Sequence, residues 1–71
     1  MTDTKFLAGL GGKIKELRLK KGMTQVQLAI HCNFEKASMS RIESGRTNAT
    51  VLTLKKISNA LDIDITEFFY P

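Results

Sequence analysis

Residues 24–45, TQVQLAIHCNFEKASMSRIESG, decide the fold. Thr24 followed three residues later by Gln27 has the form of a capping box, in which the threonine hydroxyl accepts from the third helical N–H and the glutamine reaches back to the cap. A helix therefore starts here, with Leu28, Ala29 and Cys32 turned inward. It runs out at Asn33, a residue that tolerates the left-handed conformation nearly as well as glycine. A tight turn follows and tucks Phe34 inside. The next helix covers roughly Glu35 to Ser44, with Met39 and Ile42 facing in, Lys36, Ala37, Ser40 and Arg41 facing out, and Gly45 as its stop. Ala29 is small where the second helix must cross the first closely. Together they make a helix-turn-helix over about residues 24–44, whose second helix presents a free outer face of the size that enters a major groove.

The flanks complete an all-α chain. Upstream, Leu7, Leu10, Ile14 and Leu17 recur at three- and four-residue steps, with Lys13, Lys15, Lys20 and Lys21 on other faces and Gly22 at the end. Downstream, Arg46-Thr47-Asn48-Ala49 is a polar loop, Thr50 is an N-cap, and Val51, Leu54, Ile57 and Leu61 form the apolar stripe of a fourth helix. Asp64 with Glu67 marks a last short helix carrying Phe68 and Phe69. The only proline is the last residue, so nothing interrupts the helices. Residues 1–71 read as a single compact domain of four to five helices, with room for one core and no separate effector domain.

Composition narrows the function. The single cysteine, Cys32, excludes a disulfide-stapled secreted miniprotein and suits a reducing cytoplasm. The apolar stretch from Phe6 to Gly12 is cut off by Lys13 and Lys15 well short of a membrane span. Net charge is +4 and uneven: Lys13 to Arg46 holds eight Lys/Arg against Glu16, Glu35 and Glu43, whereas Ile57 to Pro71 holds only Asp62, Asp64 and Glu67. A polyanion suits the basic part, because each neutralised phosphate releases condensed counterions. Charge alone is equally compatible with a solvated lysine-rich face. His31 and Cys32 point in different directions on a helix, and with no second Cys or His a tetrahedral metal site cannot be built. Cys32 reads as core and His31 as surface. The chain offers neither a nucleophile paired with a base nor a glycine-rich phosphate loop, so it reads as a non-enzyme with no cofactor and no small-molecule ligand. Ile63, Ile65, Phe68, Phe69 and Tyr70 make the tail more apolar than so short a monomer readily buries. Either they simply close the core, or some of them, from Ile63, Ile65, Phe68 and Phe69, also form a two-fold dimer contact; the second reading is preferred, and would set two recognition helices about 34 Å apart on one face of a duplex.

The segments Thr24-Gln25-Val26-Gln27-Leu28-Ala29, Met39-Ser40-Arg41-Ile42-Glu43-Ser44-Gly45 and Leu54-Lys55-Lys56-Ile57-Ser58-Asn59-Ala60-Leu61 resemble the lambda-repressor-like (Cro/cI, XRE-type) family of bacterial and phage regulators. The likeness spans roughly Lys13 to Phe69, and the small size and tail are also similar to the controller proteins of restriction-modification systems. The resemblance implies a cytoplasmic, nucleoid-bound transcriptional regulator, homodimeric on a palindromic stretch of double-stranded DNA, with RNA polymerase as a possible further partner. It implies base reading by Lys36, Ala37, Ser40 and Arg41, and phosphate contact by Gln25, Ser38, Arg46, Thr47 and Asn48. The chemistry agrees, since the arginine fork pairs with guanine O6 and N7, lysine reaches the same acceptors singly, and an alanine methyl touches a thymine methyl.

The same resemblance implies a structural ion pair between Arg18 and Glu43; the alternative is an ordinary surface pair worth about 0–1 kcal/mol. Three positions depart from the family pattern: Asn33 stands where glycine is common, Glu35 where a Ser or Thr cap is usual, and Ala49 where proline is frequent. Glu35 either repels phosphate or accepts from cytosine, and both stay open. The rival function from another class is a protein-interaction module, antitoxin-like or polymerase-contacting, built on the same fold.

Overall fold

The computed structural model describes residues 2–70. Four α-helices and a 3₁₀ helix follow in order: α1 (Asp3–Lys20), α2 (Gln25–Cys32), α3 (Lys36–Glu43), α4 (Val51–Leu61) and the 3₁₀ helix (Ile65–Phe69). Most of their amino ends have a side-chain cap. Thr2 accepts from the Lys5 N–H at 3.2 Å, Thr50 from Thr53 at 3.1 Å and Asp64 from Thr66 at 3.0 Å. At Thr24 both halves of the capping box are made, at 3.1 and 2.8 Å. Glu35 starts α3 with no side-chain cap, in keeping with its departure from Ser or Thr.

The carboxyl ends share one device. The backbone turns left-handed at Gly22, Asn33, Gly45 and Asp62. The next N–H in each case returns to the carbonyl five residues back: Met23 to Arg18 at 3.1 Å, Phe34 to Ala29 at 2.8 Å, Arg46 to Arg41 at 2.9 Å and Ile63 to Ser58 at 3.0 Å. This is the Schellman closure, and it carries an apolar residue back over the helix end. Met23, Phe34 and Ile63 pack against the core in that way, while Arg46 stays exposed. The turn at Gly45 is thereby left without an apolar seal, on the side where the polar loop begins.

The core joins Leu10 and Ile14 of α1, Leu28, Ala29 and Cys32 of α2, Met39 and Ile42 of α3, and Leu54, Ile57 and Leu61 of α4, with Phe68 closing it. α1 packs on α3 and the 3₁₀ helix, α2 on α3 and α4, and α4 on the 3₁₀ helix. The α1–α3 contact is so close that a Cβ at Gly11 would stand 2.7 Å from the Glu43 carbonyl carbon. Glycine there sets how near the two helices lie.

Two expectations need correction. Val51 is 76% exposed, because it occupies the first turn of α4 and points past the end of the stripe, which begins at Leu54. The last helix is 3₁₀, and its three-residue turn aligns Ile65 with Phe68 rather than Phe68 with Phe69. Phe68 is 3% exposed in the core of its own chain and is therefore removed from the dimer contact. Ile63 and Ile65 are half-buried against the same core, so of the four tail residues assigned to a partner only Phe69 keeps a large free surface, at 53%.

Candidate nucleic-acid interface

The inner side of the helix-turn-helix is locked by charge as well as by apolar packing. Arg18 Nε donates to Glu43 Oε2 at 2.7 Å and Nη2 donates to Oε1 at 3.0 Å, a bidentate pair. Both side chains are buried. The third arm of the guanidinium, Nη1, donates to the Met23 carbonyl at 2.8 Å, and Gln25 Nε2 donates to Glu43 Oε1 at 3.1 Å. Four segments meet in this cluster: α1, the turn after it, the first residue of α2 and the last of α3. No buried side-chain nitrogen or oxygen lacks a partner among the described residues. The surface-pair alternative is excluded by burial. Removing one partner would strand a buried charge, a loss of about 3–5 kcal/mol.

With Met39, Ile42 and Glu43 held inside, α3 turns Lys36, Ala37, Ser40 and Arg41 to solvent. Among the described residues Lys36, Arg41 and Arg46 are paired with no carboxylate. Ser38 and Arg41 of α3 join Thr47 and Asn48 of the loop around a shallow depression of about 170 Å³. One base-reading candidate, Arg41, thus shares a surface with the backbone-contacting candidates Ser38, Thr47 and Asn48. Lys36 and Ala37 lie at the amino end of α3, and Arg46 beyond its carboxyl end. Gln25 is the outlier. Its side chain belongs to the buried cluster at the start of α2, a partnership that no spacing in the sequence signals, because Arg18, Gln25 and Glu43 are brought together only by folding.

His31 is exposed and Cys32 is buried, with its thiol 3.7 Å from the Lys56 carbonyl. Burial pushes the Cys32 thiol above its ordinary value, with the Lys56 ammonium pulling weakly the other way. Lys56 itself sits 5.9 Å from the Phe34 ring centroid, covering the turn between α2 and α3. No group of three His, Cys, Asp or Glu side chains gathers among the described residues, and no helix is long and apolar enough to cross a membrane.

Residues 14–68 match the Helix-turn-helix family model HTH_3. The control protein C.MunI of Mycoplasma sp is 35% identical over 70 residues, covering 97% of this chain and 92% of that protein. The uncharacterized HTH-type transcriptional regulator y4dJ of Sinorhizobium fredii is 34% identical over 62 residues, covering 87% of this chain and 80% of its own length. Among solved structures, the restriction-modification controller protein C.AhdI from Aeromonas hydrophila superposes with a TM-score of 0.89 at 31% identity, covering 92% of this chain and 98% of that one. The match takes in the whole of α2, α3 and α4 and the last seven residues of α1. The chain belongs to the lambda-repressor-like, XRE-type helix-turn-helix family.

Proposed function

We propose that this protein is a sequence-specific regulator of transcription that binds double-stranded DNA as a homodimer on a palindromic operator, with α3 in the major groove. The observation that carries the reading is the contrast between the two faces of α3. One is fastened by Met39, Ile42 and the Glu43 carboxylate; the other offers two unpaired cations beside Ala37 and Ser40. A helix this firmly held at its back acts as a rigid probe, which base recognition requires. Lys36 and Arg41 then read guanine acceptors and Ala37 a thymine methyl, while Ser38, Arg46, Thr47, Asn48 and Gln25 hold the phosphates on either side. The similarity to C.MunI and C.AhdI favours control of a restriction-modification operon as the physiological setting. The exposed Phe69 and Tyr70 favour the tail as part of the two-fold contact.

Selection from a random duplex pool, followed by anisotropy titrations of the winning site across a salt series, tests the proposal. Specific binding with a steeply falling log K against log salt is expected. Arg41→Ala should cost about 1–3 kcal/mol at particular base pairs and relax preference there. Flat or absent binding would remove the reading. Unchanged site preference in Arg41→Ala would show that α3 is not the reading element.

A further inference from the structure

Glu43 does more than close the core. Its Oε1 takes two hydrogen bonds, one from Arg18 Nη2 at 3.0 Å and one from Gln25 Nε2 at 3.1 Å. The Gln25 amide nitrogen has two protons, and among the described residues only one has an acceptor. Gln25 is the first residue of α2 and half-exposed, which leaves its second N–H free of the buried cluster's own hydrogen bonds. A free glutamine spreads that donor over many rotamers, and ordering it on contact costs binding free energy. Here a carboxylate that is itself fixed by a bidentate arginine has already ordered it.

We propose that Glu43 is a positioning residue for DNA binding, acting through Gln25: it captures one amide proton and fixes the other toward a backbone phosphate. The inference rests on the DNA-binding reading above and deepens it. The Gln25 amide is then a bridge, donating inward to the buried carboxylate and outward to a phosphate oxygen. Arg18 is what makes this tolerable, since its guanidinium balances the Glu43 charge that would otherwise repel the phosphate. The arrangement links the packing of α1 against α3 to the grip of α2 on the DNA backbone. Because phosphates carry no sequence, the contribution is the same at every site.

The wild-type protein supplies the first test. In side-chain amide NMR spectra of the free protein, one Gln25 proton should be displaced from the ordinary glutamine pair and slow to exchange. The other should move only when the selected duplex is added. The second test replaces the ion pair by apolar residues of similar volume, Arg18→Met with Glu43→Leu, a change that buried pairs often tolerate. Affinity for every duplex should fall by at least the ordering cost of one long side chain, roughly three- to tenfold. In that background Gln25→Ala should cost clearly less than it does in the wild type. An ordinary, freely exchanging Gln25 pair overturns the proposal, as does an equal loss from Gln25→Ala in both backgrounds. If no duplex binds the wild type, the fault lies with the DNA-binding reading instead.

Discussion

Three glycines in one helix receive opposite predictions. Gly9, Gly11 and Gly12 all lie inside α1, where alanine is favoured over glycine by about 0.8–1.0 kcal/mol. A Cβ at Gly9 or Gly12 would meet nothing within 4 Å, so Gly9→Ala and Gly12→Ala should realise that gain in full. At Gly11 the Cβ would lie 2.7 Å from the Glu43 carbonyl carbon, well inside van der Waals contact, and backbone rather than a flexible side chain must give way. Overpacking of this kind costs about 1–3 kcal/mol, so the net effect of Gly11→Ala is a loss of about 0–2 kcal/mol. The gap between Gly11→Ala and its neighbours is the overpacking cost itself. For a chain of this size 1 kcal/mol moves Tm by about 4–8 °C, which places the outer variants above the wild type and Gly11→Ala below it. Thermal melts followed by far-UV circular dichroism at one fixed protein concentration read this directly, and urea midpoints at constant m-value provide the check. Gly11→Ala melting level with Gly9→Ala would refute the reasoning, because α1 and α3 could not then be in backbone contact.

Other consequences can be measured with the same methods. Phe68→Ala should cost about 3–5 kcal/mol and leave the chain largely unfolded by circular dichroism, whereas Phe69→Ala should shift sedimentation toward monomer and lower the melt only by the stability that dimerisation adds at the working concentration. Glu35→Asp keeps the negative charge at the start of α3 but shortens the side chain enough to accept from the helix N–H groups. A gain of about 1 kcal/mol is expected, read as a higher urea midpoint. Hydrogen bonds from the Thr66 N–H and hydroxyl hold the Asp64 carboxyl below its ordinary value of 3.8. A depressed folded value means stability that is present above about pH 4 and lost as the pH falls through the lowered value. The Tm difference between wild type and Asp64→Asn should accordingly narrow on acidification; a difference that is constant with pH would contradict the assignment.

The helices were legible because their ends carry local chemistry. Thr24 with Gln27, Gly22, Asn33 and Gly45 each decide a boundary within a few residues, and the structure keeps all of them. Asp62 does the same work at the end of α4 without looking like a stop, since aspartate enters the left-handed region less readily than glycine and nothing nearby advertises it. The tail was misread for a different reason. Phe68 and Phe69 are indistinguishable by composition, and only the three-residue period of a 3₁₀ turn separates the one that is core from the one that is free.

The recognition face was legible from the two-sided pattern of one short helix, but what holds that helix still was not. Arg18 and Glu43 are linked in the sequence only through the family likeness, and Gln25 is one of several polar residues at a helix start. Their meeting place is set by Gly11, which shares its helix with Gly9 and Gly12 and which nothing in the sequence singles out. Each weakens the helix by about 1 kcal/mol relative to alanine, and only at Gly11 does a neighbour occupy the space a Cβ would need. Here the neighbour is the end of α3, and the space lets α1 approach until Arg18, seven residues further along, can fork onto Glu43. A buried ion pair of this kind adds little net stability to so small a domain compared with apolar packing. Its value lies in direction: it fixes where α3 ends relative to α1, and through Gln25 where α2 begins. Two of the three elements that would touch DNA are in this way referred to a single carboxylate, and the loop after Gly45 is the third.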